Sequence, residues 1–282
     1  MPETAFLFPG QGSQSLGMVK GLTLHPEAME IFRQASGSLD IDLLDLCLKG
    51  PEEDLAQDFY APIAVLVTNC AYAVVLKKMN LAPGLASGFS LGIFSALVAA
   101  ESLAFEQGLE GVRIAAEKMS EEGRNHHGAM AAVIGLSEKE VQAVGQEFSR
   151  VWVASLNTAQ QVVISGEEEE VEKAIPLCVQ RGALLVKRLA IGWAIHTPLM
   201  ERASLAFAEG IKNWKVFPPQ FPVLSYLRGE LLRSPEEIKT ELSAQFSQTN
   251  YWHKVLLRMA EAGIHTFIEV GPGNVLPRWF AG

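Results

Sequence analysis

Residues 85–96 read Leu-Ala-Ser-Gly-Phe-Ser-Leu-Gly-Ile-Phe-Ser-Ala, and this stretch decides the fold. A short apolar run at 85–87 is expected as a strand, and an apolar pattern at 91–100 as the helix behind it. Between them Gly88-Phe89-Ser90-Leu91-Gly92 fits G-x-S-x-G, the sharp strand-to-helix turn of a nucleophile elbow. The glycines are needed because side chains would collide in so tight a turn. Such a turn holds the Ser90 hydroxyl clear of the sheet and beside a helix N-terminus, where free N–H groups favour developing negative charge. The same residues could also form an ordinary turn with a capping serine, so the elbow needs context.

Working outward, Thr4–Phe8 (TAFLF) reads as a buried strand stopped by Pro9-Gly10. Helical patterns follow at 26–39, 41–48, 55–76 and 106–121. This alternation predicts an α/β fold with a mainly parallel sheet. The middle of the chain has another rhythm. A strand at 128–136, a helix at 137–148 opened by a Ser137/Glu140 capping box, and strands at 151–156 and 161–165 come first. A helix at 167–180 and a strand at 183–189 complete the order βαββαβ, the ferredoxin-like motif. The expectation is therefore a parallel-sheet core of the α/β-hydrolase kind, residues 1–123 and 193–282, with a ferredoxin-like insert at 124–192. The polar stretch 121–127 is expected as the entry hinge, and a helix at 198–214 returns the chain to the core. A last strand is expected at 265–270.

Bulk composition narrows the partners. The 282 residues carry a formal charge of −9 with no run of Lys and Arg, which disfavours nucleic acid and anionic membranes. The longest apolar stretch, 61–76, falls short of the ~20 residues that a membrane span needs. Cys47, Cys70 and Cys178 form neither a disulfide framework nor a zinc pattern, which fits a reducing cytoplasm. No metal or tightly bound cofactor is indicated.

A serine hydroxyl needs a base to attack at neutral pH. Of six histidines, His126 and His127 lie in a polar stretch and His25 at a helix start. His253 and His265 are not excluded by composition. His196 follows the apolar run 190–195 and precedes Thr197-Pro198, a junction from which a side chain can reach across a cleft.

Six segments taken together resemble the malonyl-CoA:acyl-carrier-protein transacylases and polyketide acyltransferase domains. They are Phe8-Pro9-Gly10-Gln11-Gly12-Ser13-Gln14, the elbow with Ser95-Ala96, GAMAAVIGL at 128–136, Asn157 with QVVISG at 161–166, IHTPLM at 195–200 and EVGPGNVL at 269–276. They span almost the whole chain in the family's order. The resemblance implies that Ser90, activated by His196, takes an acyl group from acyl-CoA and passes it to the phosphopantetheine thiol of an acyl-carrier protein. It further implies an oxyanion site at the backbone N–H groups of Gln11 and Leu91, such a donor lowering the barrier by about 3 kcal/mol. The base would be oriented by the backbone carbonyl of Gln245, in a segment where Thr249 replaces the family's proline. Asn157 is expected beneath the base, or else as a hairpin-turn asparagine. Family resemblance also implies a monomer.

Departures from the family gather around the expected acyl pocket. Phe89 stands for the family's His before the nucleophile, Ile93 for a Glu, and Ile195 for the Phe or Ser before the base. The arginine that pairs with a malonyl carboxylate in the family, four residues before Met119, is Ala115 here. Arg113 lies about 200° round the helix from Ala115 and Arg124 lies in the expected hinge. A buried carboxylate without a partner is costly to desolvate. Three readings follow: transfer of an acyl group lacking a free carboxylate or of an atypical extender, hydrolysis of acyl groups from a carrier, and a non-catalytic subunit of a synthase. Retention of Ser90, His196 and Gln11 argues against the last.

Overall fold

The strand at the N-terminus and the strand before Ser90 lie side by side, with Phe8 opposite Gly88. The computed structural model describes residues 3–273 together with Leu276 and Trp279, so Asn274 and Val275 of the C-terminal motif lie outside the described residues. In chain order the strands are β1 (Thr4–Phe8), β2 (Leu85–Gly88), β3 (Gly128–Ile134), β4 (Val151–Thr158), β5 (Gln161–Glu167), β6 (Leu185–Arg188), β7 (Val223–Leu224), β8 (Leu231–Leu232) and β9 (Thr266–Glu269). They form two sheets.

The first sheet has the order β8-β7-β2-β1-β9, with β7, β2, β1 and β9 parallel and β8 antiparallel at one edge. Ala5, Phe6, Leu7 and Phe8 are all buried, because helices cover both faces of the sheet. Helix Tyr60–Lys78 packs against helices Pro26–Leu39 and Gly92–Ala99. It is long and apolar enough to cross a membrane by length and composition, unlike the sequence expectation, but 72% of its most apolar window is buried inside the fold.

The second sheet has the order β4-β5-β3-β6 with every pairing antiparallel, the ferredoxin-like arrangement expected from βαββαβ. The period of two along β3 divides its residues. Ala129, Ala131 and Val133 pack against helices Glu138–Gly145 and Glu168–Gln180. Met130 and Ala132 face the other way, toward Ile191 and Ile195. Ser137 and Glu140 form the expected capping box.

Two boundaries differ from expectation. The supposed hinge at 121–127 is mostly helix, since helix Phe105–Asn125 runs through it. Tertiary contacts hold this last turn: Glu122 is buried beside His126, and a methyl group at Gly123 would lie 2.3 Å from the Trp193 ring. The segment 198–214 is a short 3-10 turn, Pro198–Met200, followed by helix Glu201–Ile211. Helices Pro235–Ala244 and Trp252–Glu261 and the short strands β7 and β8 were not anticipated. The first of these helices carried a legible start in Ser234-Pro235-Glu236-Glu237, whose capping box is formed.

Candidate active site

Ser90 sits just past the end of β2 with φ +52°, left-handed backbone that a side chain disfavours by about 1–2 kcal/mol. The surrounding hydrogen bonds fix it there. The Phe89 N–H donates to the Phe8 carbonyl at 2.9 Å, the Gly92 N–H to the Phe89 carbonyl at 2.9 Å, and the Ile93 N–H to the Ser90 carbonyl at 3.0 Å. The elbow glycines answer to close approach. A methyl at Gly88 would lie 2.1 Å from the Gly92 carbonyl carbon, and one at Gly92 would lie 2.2 Å from the Phe8 carbonyl oxygen. Both values are far inside van der Waals contact, so β1, the turn and the helix behind it interlock only with glycine.

His196 also has a left-handed backbone, φ +63°, and is anchored by its N–H to the Phe246 carbonyl at 2.6 Å. Its ring is 6% exposed. Nε2 stands 3.1 Å from Ser90 Oγ, and Nδ1 stands 3.0 Å from the Gln248 carbonyl oxygen. A carbonyl only accepts, so Nδ1 carries the proton and Nε2 is left to accept from the serine hydroxyl. Burial lowers the imidazole pKa from 6.5 to about 4, against the opposing pull of the Gln248 and, more weakly, Gln245 carbonyls. The ring is therefore neutral at pH 7. A hydroxyl within reach of a neutral imidazole, itself oriented by a third group, is the arrangement that nucleophilic acyl chemistry uses.

The carbonyl that meets Nδ1 within hydrogen-bond geometry is that of Gln248 rather than the expected Gln245. The chain turns after helix Pro235–Ala244, with the Gln248 N–H donating to the Ala244 carbonyl at 3.1 Å, and so carries the Gln248 carbonyl to the ring. The next residues are tied to β4. Thr249, standing where the family has proline, donates its hydroxyl to the Val153 carbonyl at 2.9 Å. The Asn250 N–H donates to the Ala154 carbonyl at 2.9 Å, and its carbonyl accepts from the Leu156 N–H at 2.8 Å.

A cavity of about 250 Å³ opens beside the pair. Gln11, Phe89, Leu91, Met119, Asn157, Ile195 and Gln245 line it together with Ser90 and His196, as does Trp279. The Phe89 ring packs between Trp252 and Trp279, at centroid distances of 5.4 and 5.3 Å. The backbone N–H groups of Gln11 and Leu91 donate to no acceptor among the described residues. The Gln11 loop is held from outside the cavity by the Gln11 side chain donating to Asp58 at 3.1 Å. Burial raises the Asp58 carboxyl pKa, while the Gln11 hydrogen bond lowers it. Asn69, which the sequence did not single out, donates to both the Pro9 carbonyl at 2.9 Å and Ser95 Oγ at 3.0 Å, tying the loop to the helix after Ser90.

Two expected pocket residues are elsewhere. Ile93 and Ala115 are fully buried in the main core and do not line the cavity. The alanine methyl is short, and the helix meets the cavity one turn later through Met119. Arg113 is engaged by Glu117 at 2.5 Å, and exposed Arg124 donates to Ser120 at 3.3 Å. Among the described residues, no Lys or Arg lines the cavity. The residues that the sequence did not find here include Gln248, Asn250 and Ser155, whose places depend on how the segment after helix Pro235–Ala244 meets β4.

The acyl transferase domain model matches residues 5–279. The malonyl CoA-acyl carrier protein transacylase of Bacillus subtilis (strain 168) is 34% identical over 98% of this chain and 89% of its own. The structure of an acyl carrier protein S-malonyltransferase from Vibrio cholerae superposes with a TM-score of 0.95 at 32% identity, covering 99% of this chain and 92% of that one. A malonyl-transacylase in complex with its type II polyketide acyl-carrier protein gives the same TM-score at 34% identity over 99% and 92% of the two chains. With its elbow, its two sheets and nearly full-length matches of this kind, the chain belongs to the acyl transferase domain family and is an acyltransferase.

Proposed function

We propose that this chain moves an acyl group lacking a free carboxylate from acyl-CoA to the phosphopantetheine thiol of an acyl-carrier protein, by way of an ester on Ser90. The observation that carries this reading is the Ser90 Oγ to His196 Nε2 contact of 3.1 Å, beside a cavity whose described lining holds no cation. The Ser90 hydroxyl gives its proton to Nε2 while Oγ attacks the thioester carbonyl. The oxyanion is received by the N–H groups of Gln11 and Leu91. Collapse breaks the C–S bond, and the leaving CoA sulfur takes the proton back from His196. In the second half the carrier thiol gives its proton to Nε2, its sulfur attacks the ester, and Ser90 Oγ leaves and is reprotonated. The Gln248 carbonyl holds the ring throughout. Carrier chemistry is supported by the relative captured with its acyl-carrier protein. The cytoplasm fits three buried thiols that form no disulfide.

The relatives' names specify malonyl, a carboxylate-bearing group. Among the described residues a malonyl carboxylate in this cavity would meet no cationic partner, at a cost of several kcal/mol. Intact-mass measurement of the enzyme against a panel of acyl-CoAs, with and without holo carrier, tests each part. Uncharged acyl groups should load Ser90 at least about tenfold faster than malonyl. Malonyl loading fastest would overturn the acyl class. An adduct that survives in Ser90→Ala would overturn the ester, and release of free acid in place of acyl-carrier would overturn transfer.

A further inference from the structure

We infer that Asn250 and Gln245 select an acyl group that carries its own neutral hydrogen-bond donor, a hydroxyl or a carboxamide. The inference rests on the proposed ester chemistry at Ser90 and narrows its substrate. Asn250 is 0% exposed, lines the same cavity as Ser90 and His196, and has no partner among the described residues for either Oδ1 or Nδ2. Gln245 is 1% exposed and lines the cavity too. Its Nε2 donates to the Leu242 carbonyl at 2.7 Å, which fixes the amide's orientation and leaves Oε1 unpartnered. Buried polar groups are almost always paired, and each exception calls for an explanation. The Asn250 backbone is held beside the cavity by its hydrogen bonds to Ala154 and Leu156.

The inventory of free groups names the ligand. Fully buried and without a partner among the described residues are two acceptor oxygens, Asn250 Oδ1 and Gln245 Oε1, and one amide nitrogen, Asn250 Nδ2, while the Asn157 and Gln161 amides bring further donors to the lining. Ser155 and Asn157 do not change the count on the oxygen side, since the Ser155 hydroxyl donates to Asn157 Oδ1 at 2.7 Å. A carboxylate only accepts, so it would leave both buried oxygens unpaired and set its charge against them. A plain aliphatic chain would leave all three groups unpaired. A hydroxyl donates to one oxygen and accepts from the nitrogen, and a carboxamide does both with more hydrogens. The apolar lining from Phe89, Met119 and Ile195 accommodates the carbon skeleton.

The test compares Ser90 ester formation, by quenched intact-mass measurement, from 3-hydroxybutyryl-CoA against butyryl-CoA and from malonamyl-CoA against malonyl-CoA. Each pair differs only in the group that Asn250 and Gln245 would meet. Wild-type enzyme should favour the donor-bearing member of each pair by at least about tenfold, as sites that hydrogen-bond a substrate hydroxyl reject analogues lacking it. Asn250→Leu and Asn250→Ala should each collapse the hydroxybutyryl ratio toward one and lower the malonamyl ratio, which keeps only the part due to the carboxylate's desolvation. The ratio is taken within a single variant, so a general loss of activity or folded protein cancels. Esters that form with ratios near one in wild type, or with ratios unmoved by both substitutions, overturn the inference while leaving the Ser90 chemistry standing; two amides that hold only a trapped water give this result. Failure of every acyl-CoA to acylate Ser90 overturns both.

Discussion

The two sheets serve the site in opposite ways. The parallel sheet delivers Ser90 from the end of a central strand, where β1 and β2 are held by backbone contacts that admit only glycine at 88 and 92. The antiparallel sheet delivers no residue of the Ser90–His196 pair. It offers the side chains Met130, Ala132, Ser155, Asn157, Gln161 and Val163 as one wall of the cavity. Backbone interlock leaves the first region little freedom, whereas a sheet face can exchange side chains without moving its strands. The nucleophile is thus fixed in one layer, while the other offers a wall whose side chains are free to change.

The largest effect should come from the joint between them. His196→Ala removes the base and should lower the rate of Ser90 acylation by about 10²–10⁴-fold, with the fold retained by circular dichroism. The pH profile sharpens this. Catalysis needs the neutral ring, so activity should hold as pH falls through 6.5 and drop only near 4. Stability follows the same sign. Burial lowers the folded pKa below the unfolded value, so the unfolded chain takes up the proton first. The stability from this group is present above 6.5 and is lost as pH falls through about 4, a dependence that denaturant titration should find reduced in His196→Gln.

Gly92→Ala should come next, costing about 3 kcal/mol or more in urea titration, because its methyl would be driven into the Phe8 carbonyl. Met130→Ala, on the opposite layer, should cost about 2 kcal/mol and shift the acyl-CoA preference toward longer chains without abolishing Ser90 ester formation. If it stopped ester formation altogether, the division between the layers would be wrong. The smallest effect is expected of Arg113→Ala. Its partner Glu117 is equally exposed, so stability should change by less than about 0.5 kcal/mol and malonyl loading should not change. A large fall in malonyl loading would mean that this guanidinium reaches the cavity after all.

Much of this was readable along the chain. The elbow at 88–92 was found from residue type and position and the histidine at 196 from the resemblance to the family, and period-two runs with a capping box gave the second sheet. Helix Pro235–Ala244 was missed although Ser234 and Glu237 announce it. The short strands β7 and β8 carry too few residues for any period to register. Ile93 and Ala115 went astray because the family pattern marks which positions differ but not which way a side chain points in this fold.

The sequence by itself determined the order βαββαβ of the second sheet, the sharp turn at Ser90 and the family, since these rest on local spacing and on residue types that few alternatives can replace. Only the tertiary structure decided that the Gln248 carbonyl holds the His196 ring, that Met119 and not Ala115 meets the cavity, and that the Asn250 side chain has no partner there among the described residues. Those outcomes depend on how segments far apart in the chain are brought together, Gln248 and His196 being 52 residues apart, and hydrogen bonds across such distances leave no period in the chain.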